Sequence, residues 1–225
     1  MNELNQRAYI GLLSFLIILA LLLFLPAWTL AYWQAWIFLT VFSASTLAIT
    51  TYLMKNDPKL LEQRMHAGPV AEQEKSQQMI QALAMIAFIA VIVFPVVDHR
   101  CAWSTVPAPV VLAGDILVAL GFLLIFFVFK ANTYASSIIE VGTEQTIVTT
   151  GPYALVRHPM YIGALVMLFG VPLALGTWWG LFTIIPMTIL LVWRLLNEER
   201  FLAKNLAGYS EYRNKVRYRL LPFIW

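Results

Sequence analysis

From Pro159 to Trp193 the chain reads PMYIGALVMLFGVPLALGTWWGLFTIIPMTILLVW, without a single Asp, Glu, Lys or Arg. A helix needs about 20 apolar residues to cross a bilayer, so this run is long enough for two passes. The break falls at Leu175-Gly176-Thr177-Trp178-Trp179-Gly180, where two glycines permit a tight turn and paired Trp rings suit a membrane interface. Upstream, Ile10–Ala27, Ala31–Met54, Met79–Val97 and Ile116–Phe129 are also free of charge. The expectation is an all-α polytopic membrane bundle of about six helices, at 9–27, 31–54, 79–97, 110–130, 159–175 and 179–196. The fifth is short, which sets this hairpin off the membrane centre.

Composition agrees. The 225 residues are 60% hydrophobic and 12% charged, with mean hydropathy +0.75. That charge fraction is about half of a soluble domain's. The net charge of +3 is concentrated in the tail, at Arg200, Lys204, Arg213, Lys215, Arg217 and Arg219. Such a cluster suits anionic headgroups, and no nucleic-acid partner is expected. Lys55, Lys59, Arg64 and Lys75 lie between the second and third helices, and Lys130 and Arg157 flank the loop after the fourth. The positive-inside rule then assigns both termini and both long loops to the cytoplasm, as an even helix count also requires.

The first apolar run ends in Leu25-Pro26-Ala27-Trp28 with no small-x-small cleavage site, so it reads as a retained helix. The lone Cys101 excludes an intramolecular disulfide, and His66, His99 and His158 lack metal-ligand spacing, so no metal site is expected. Nothing divides the chain into separate domains. Residues 1–130 supply four membrane helices, and 131–225 supply a polar loop, the hairpin and the tail.

Three polar pieces face one side. In the connector, Asn56 or Asp57 can cap a helix starting at Pro58, with Leu60, Leu61 and Met65 as its apolar face. It reads equally as a lid or as a solvated connector. In the loop 131–158, Thr146–Thr150 is an extended segment before the Gly151-Pro152 turn. The tail carries Phe201, Leu202, Leu206, Tyr209 and Tyr212 at helical spacing, then Leu220-Leu221-Pro222-Phe223-Ile224-Trp225, too short to span and suited to docking on the bundle or the interface. Loop and tail would roof a cytoplasmic site open to the bilayer.

Several residues there can carry chemistry. Arg194 and Glu198 are i and i+4 on one helical face, with Glu199 one step round. They fit an intrahelical ion pair with Arg194 snorkelling to water. They equally fit a guanidinium fork for an anionic substrate and a carboxylate for a cationic or amine-bearing cofactor. Two adjacent acids buried without partners would be costly. His158-Pro159 biases His158 away from helix and lets Pro159 begin one. Its free N–H groups can receive a carboxylate, while His158 itself reads as a cap or a catalyst. Tyr153 and Tyr161 can wall an adenine or anchor at the interface. Asp115 is the one acid inside a proposed span, which disfavours a proton-relay transporter.

Taken together, Val148-x-x-Gly151-x-Tyr153-x-x-x-Arg157-His158-Pro159-x-Tyr161-x-Gly163, then Arg194-x-x-x-Glu198-Glu199, then Tyr209-x-x-Tyr212 and Leu221-Pro222-Phe223-Ile224 resemble the isoprenylcysteine carboxyl methyltransferase family. The resemblance runs from Asn132 onward, with the helical hairpin between the first two motifs, and the polar connector is similar to that of bacterial members. It implies an integral enzyme of the bacterial inner membrane that uses S-adenosylmethionine to methylate the carboxylate of a prenylated cysteine. By motif position, Gln145, Thr146, Ile147, Val148, Tyr153, His158, Pro159, Met160 and Tyr161 contact the cofactor. Glu198, with Glu199 beside it, holds it from the last helix, and Arg194 faces the substrate carboxylate. The lipophilic or prenylated acceptor enters sideways from the bilayer and the cofactor from the cytoplasm.

A carboxylate attacking a sulfonium methyl needs no general base, which matches a site offering Arg and no obvious base. A phospholipid amine methyltransferase would need a proton acceptor, for which His158 is the candidate. An NADPH-dependent membrane reductase of the sterol reductase type is the second alternative, and a non-catalytic scaffold or transporter the third.

Overall fold

The computed structural model describes residues 3–72, 74–142 and 145–225. Helices α1 (Glu3–Ala27), α2 (Trp33–Asn56), α4 (Lys75–Cys101), α5 (Ala108–Ala131), α6 (Pro159–Ala174) and α7 (Ile184–Asn205) form a polytopic membrane bundle. Two short helices, α3 (Pro58–Met65) and α8 (Tyr209–Lys215), lie at the end that also carries the loop between α5 and α6. No strand occurs among the described residues. Among the described residues, five segments are long and apolar enough to cross a bilayer, and α6 is a shorter apolar helix.

The bundle faces lipid with apolar side chains. On α1, Ile10, Leu13, Ile17 and Leu21 are exposed, while Ala8, Leu19, Leu23 and Ala27 are buried. On α5, Ile116, Leu120, Leu123 and Phe127 make the same kind of outward stripe. Water would penalise such surfaces and hydrocarbon does not. The larger interior cluster is built from Leu19, Leu23, Phe38, Phe42, Val91, Ile92, Val118, Leu168 and Val171, and a second gathers Ala8, Leu53, Leu60, Leu61 and Phe129.

The tightest packing is between α5 and α6, which run antiparallel with glycines one heptad apart on each. A Cβ on Gly170 would meet the carbonyl oxygen of Gly114 at 2.6 Å and the Leu117 Cβ at 2.9 Å. One on Gly121 would meet the carbonyl oxygen of Gly163 at 2.6 Å. Lipid tails are as apolar as leucine, so close backbone approach through small residues, rather than a hydrophobic drive, holds such a pair together.

The far end of the bundle is pinned by polar contacts. Asp98, fully buried, accepts hydrogen bonds from Ser104 N at 2.7 Å and Ser104 Oγ at 2.6 Å, and also from Thr177 Oγ1. Tyr32 donates to the Leu175 carbonyl at 2.6 Å and stacks on His99 at 3.8 Å between centroids. This fixes the hairpin turn, where Gly176 adopts φ +76°. After it, Trp179–Thr183 is a 3₁₀ turn, so α7 begins at Ile184 and not at 179. It continues beyond 196 to Asn205, because Asn197–Asn205 contains no Gly or Pro and is rich in helix formers. Arg194, Glu198 and Glu199 therefore share one continuous helix.

Replacing Gly121 or Gly170 with Leu should separate α5 from α6 and cost about 1–3 kcal/mol or more. Gly11, which has nothing within 4 Å of an added Cβ, is the control. Thermal unfolding in detergent should show a large Tm loss for the first two and almost none for Gly11→Leu.

Candidate functional site

Helix ends and irregular chain enclose a cavity of about 530 Å³ at the loop-bearing end of the bundle. Its walls come from α3, the first half of α4, loop residues 132–140 and 145–148, the 3₁₀ turn Gly151–Ala154, the start of α6, one face of α7 from Met187 to Leu202, and α8. Gln145, Thr146, Ile147, Val148, Tyr153, His158, Met160, Tyr161, Arg194 and Glu198 all line it. Pro159 is buried as the first residue of α6 and is outside the lining, as is Glu199. The segment expected to be extended lines the cavity as irregular chain.

Arg194 and Glu198 share a wall but turn to other partners. Glu198 Oε2 accepts from the Tyr161 hydroxyl at 2.6 Å. Arg194 Nη1 lies 2.7 Å from Glu72 Oε1, and Nη2 donates to the Ser137 carbonyl at 2.9 Å. The intrahelical ion pair is not among those of the described residues. Glu72 is almost fully buried, and Gln81 Nε2 and the Ile139 N–H also donate to it, at 3.2 and 3.3 Å. The connector is thus a wall of the cavity.

Glu199 points away into a clamp. Its Oε1 is 2.7 Å from Arg157 Nε in the loop, and its Oε2 is 2.9 Å from Arg219 Nε in the tail. His158 Nε2 stands 3.5 Å from the same carboxylate, and its ring meets Tyr161 edge-on. The two adjacent acids avoid the cost of unpaired burial by taking different partners. Backbone bonds reinforce the clamp, from Arg157 N to the Tyr218 carbonyl at 2.9 Å and from His158 N to that of Arg219 at 3.0 Å. Tyr212, buried from α8, donates to the Tyr153 carbonyl at 2.8 Å. Beyond Leu220, Phe223 and Ile224 are exposed and do not dock on the bundle.

Titrating groups of the cavity wall are shifted, Tyr153 and Arg64 among them. Burial pushes the Tyr153 hydroxyl up to about 12, although Asn132 Nδ2 donates to it at 3.0 Å. Burial, and then the neighbouring cation Arg194, draws Arg64 down to about 10, still protonated at neutral pH.

Sequence reasoning passed over Arg64, Glu72 and Asn132. Arg64 had a signal: it follows Leu60 by four residues and Leu61 by three, so it shares their buried face. Met65, assigned to that face from the sequence, is 40% exposed. Glu72 lies in irregular chain after a 3₁₀ turn, where no periodicity points inward.

Residues 110–208 match the model of a family described as phospholipid methyltransferase. The match supports a membrane methyltransferase family, and such a family implies a methyl donor. It takes in α5, the loop, α6 and α7, and leaves α1 to α4 outside. The chain is 31% identical over 90 residues to Delta(14)-sterol reductase TM7SF2 of Mus musculus, across 39% of this chain and 22% of that protein. It is 26% identical over 105 residues to the cobalt-zinc-cadmium resistance protein CzcN of Cupriavidus metallidurans, across 46% of this chain and 48% of that one. The chain thus spans less than half the length of each of these relatives.

Removing the clamp, as in Glu199→Ala, leaves two buried or half-buried cations uncompensated. The expected cost is about 3 kcal/mol. Limited trypsin digestion in detergent should then cut the tail at Arg213–Arg219 many times faster than in the wild type.

Proposed function

We propose that the chain transfers a methyl group from S-adenosylmethionine to a lipophilic acceptor at the membrane interface, with the carboxylate of an isoprenylated cysteine or a similar prenyl-thioether acid as the acceptor. The supporting observation is a cavity that joins two chemistries. One wall carries Tyr161–Glu198 and Arg194–Glu72, and the other is Ala84, Met85, Phe88, Met187 and Leu191 from α4 and α7. Met85 is also 53% exposed on the lipid-facing side, so the apolar wall reaches the bundle surface. The cationic loops and tail support an orientation with this end towards the cytoplasm, and the proposed setting is a bacterial inner membrane.

The residues fit the donor in size and charge. A volume of about 530 Å³ is in the range of small-molecule sites. The Glu198 carboxylate, steadied by Tyr161, is an acceptor for an ammonium or a counter-charge for a sulfonium. Tyr153, His158, Met160, Tyr161 and Gln145–Val148 supply aromatic, soft and backbone contacts around it. Pro159 sets the start of α6 from which His158 and Met160 project, and Glu199 keeps the tail in place over them. When bound, S-adenosylmethionine supplies an electrophilic methyl group on sulfur.

Arg194 would orient an attacking carboxylate without proton transfer. Glu72 already shares its charge, so it would not quench the nucleophile by binding it too tightly. Burial beneath loop and tail excludes water and strengthens both electrostatic contacts. The description of the matched family favours a second reading, methylation of a phospholipid amine. There His158 would take the proton, and its Nε2, 3.5 Å from Glu199, is placed to share the resulting charge. The sterol reductase relative motivates a third, in which the cavity holds NADPH.

Calorimetry on the detergent-purified protein separates these readings. Micromolar binding of S-adenosylmethionine and S-adenosylhomocysteine is expected, weakened at least about tenfold in Glu198→Ala, a loss of about 1.4 kcal/mol or more. Arg194→Ala should keep this binding and lose turnover. Binding of NADPH with no binding of the methyl-donor pair would transfer the chain to the reductases.

A further inference from the structure

Among the described residues, Arg64 has no counter-ion, although it stands in the cavity wall. Asp57 caps α3 by accepting from the Leu60 N–H at 3.0 Å, and Pro58 starts the helix. Leu60 and Leu61 are buried among Ala8, Leu53, Phe129 and Met160, so α3 is anchored and not a loose connector. Helical spacing brings Arg64 round to that anchored face and into the cavity.

Its protein partners there are weak. Nη1 reaches the carbonyls of Ser136 at 3.1 Å and Ala135 at 3.4 Å and the Met160 sulfur at 3.8 Å. The guanidinium carbon lies 5.0 Å from the Phe129 ring centroid. The ion pairs of the described residues use Arg7, Arg157, His158, Arg194 and Arg219, and none uses Arg64. Nε and Nη2 have no acceptor among the described residues. Of the neighbouring charges that act on it, that of Arg194 is the largest, and it is of like sign. Arg194, by contrast, is compensated by Glu72. A half-buried guanidinium beside another cation is stabilised when an anion joins it, and its planar fork matches the paired oxygens of a carboxylate or phosphate.

We propose that Arg64 is the receptor for the anionic group of the lipophilic acceptor, and that the Glu72–Arg194 pair is a positioning device beside it. This rests on the methyltransferase reading for what the bound anion goes on to do, but not for the binding itself. The acceptor, and not the cofactor, is the source of the anion because Arg64 sits over Phe129 and Met160 at the apolar anchoring of α3. Glu198 and Tyr161 form a separate, anionic pole suited to a cationic ligand.

The test titrates the wild type, Arg64→Gln and Arg64→Lys in detergent with four probes: a farnesyl thioether acid, its methyl ester, farnesyl monophosphate and S-adenosylhomocysteine. In Arg64→Gln the acid should bind about tenfold or more weakly. The ester and S-adenosylhomocysteine should stay within about twofold, and Arg64→Lys should recover part of the loss. Preference of the wild type for the monophosphate over the acid, lost in Arg64→Gln, supports Arg64 and identifies a phosphate headgroup. Equal binding of the acid and the monophosphate by wild type and Arg64→Gln, with unchanged Tm, overturns the proposal. So does an Arg64→Gln defect confined to S-adenosylhomocysteine, which would give Arg64 to the cofactor carboxylate. If the wild type ignores S-adenosylhomocysteine yet binds the acid through Arg64, the methyltransferase reading fails and the anion receptor stands.

Discussion

The site depends on how buried charge is compensated at the edge of a membrane. Glu199 is the centre of this, a carboxylate 3% exposed that meets Arg157 from the loop and Arg219 from the tail. The three groups lie far apart in sequence, and none could be buried alone without a penalty of several kcal/mol. Their meeting fixes the loop against α7 and the tail across both. From it follow the backbone bonds between Arg157–His158 and Tyr218–Arg219, and the placement of His158 and Tyr161. Glu198, one residue earlier, is thereby left to face the cavity.

The scaffold beneath needs no such compensation. Gly114 and Gly121 on α5 lie against Gly170 and Gly163 on α6, and their bare backbones set the distance at which the two helices run. This determines where Ala131 and Pro159 emerge, hence the span that the loop must close. The Asp98–Ser104–Thr177 cluster does the equivalent at the opposite end, so α6 has polar contacts at both ends and glycine contacts to α5 along its length. A lipid-facing bundle cannot rely on water to drive its helices together, and these are its substitutes.

Much of this was legible in the sequence, for identifiable reasons. Charge-free runs give the spans directly, because the bilayer tolerates little else. The cavity-lining residues from Gln145 to Tyr161, with Arg194 and Glu198, were legible through a motif and through i, i+4 spacing. The partner of each charge was not. Arg194 and Glu198 satisfy the spacing rule for a mutual pair and yet choose Glu72 and Tyr161, because tertiary neighbours in a desolvated site outweigh an exposed-helix preference. Helix ends moved where local chemistry differed from hydropathy: α7 runs to Asn205 because helix formers continue after the apolar run stops.

The division of the site between the two halves of the chain has a physical consequence. The stretch that matches a methyltransferase family begins at residue 110, so it contains the Glu198–Tyr161 pole and omits Arg64 and Glu72. Both omitted residues come from the connector between α2 and α4, an eight-residue helix and a 3₁₀ turn held by Leu60, Leu61 and a cap. Such a segment can change length and charge at little cost to the bundle, whereas α6 and α7 cannot. On the proposed reading, a donor pole built on rigid helices and faced by charges borne on a short helix would let the acceptor vary while the donor site stays. Acceptor choice would then depend on which charges the connector brings in and which of them it leaves uncompensated. Among the described residues of the cavity wall, Arg194 is compensated by Glu72 and Arg64 has no such partner.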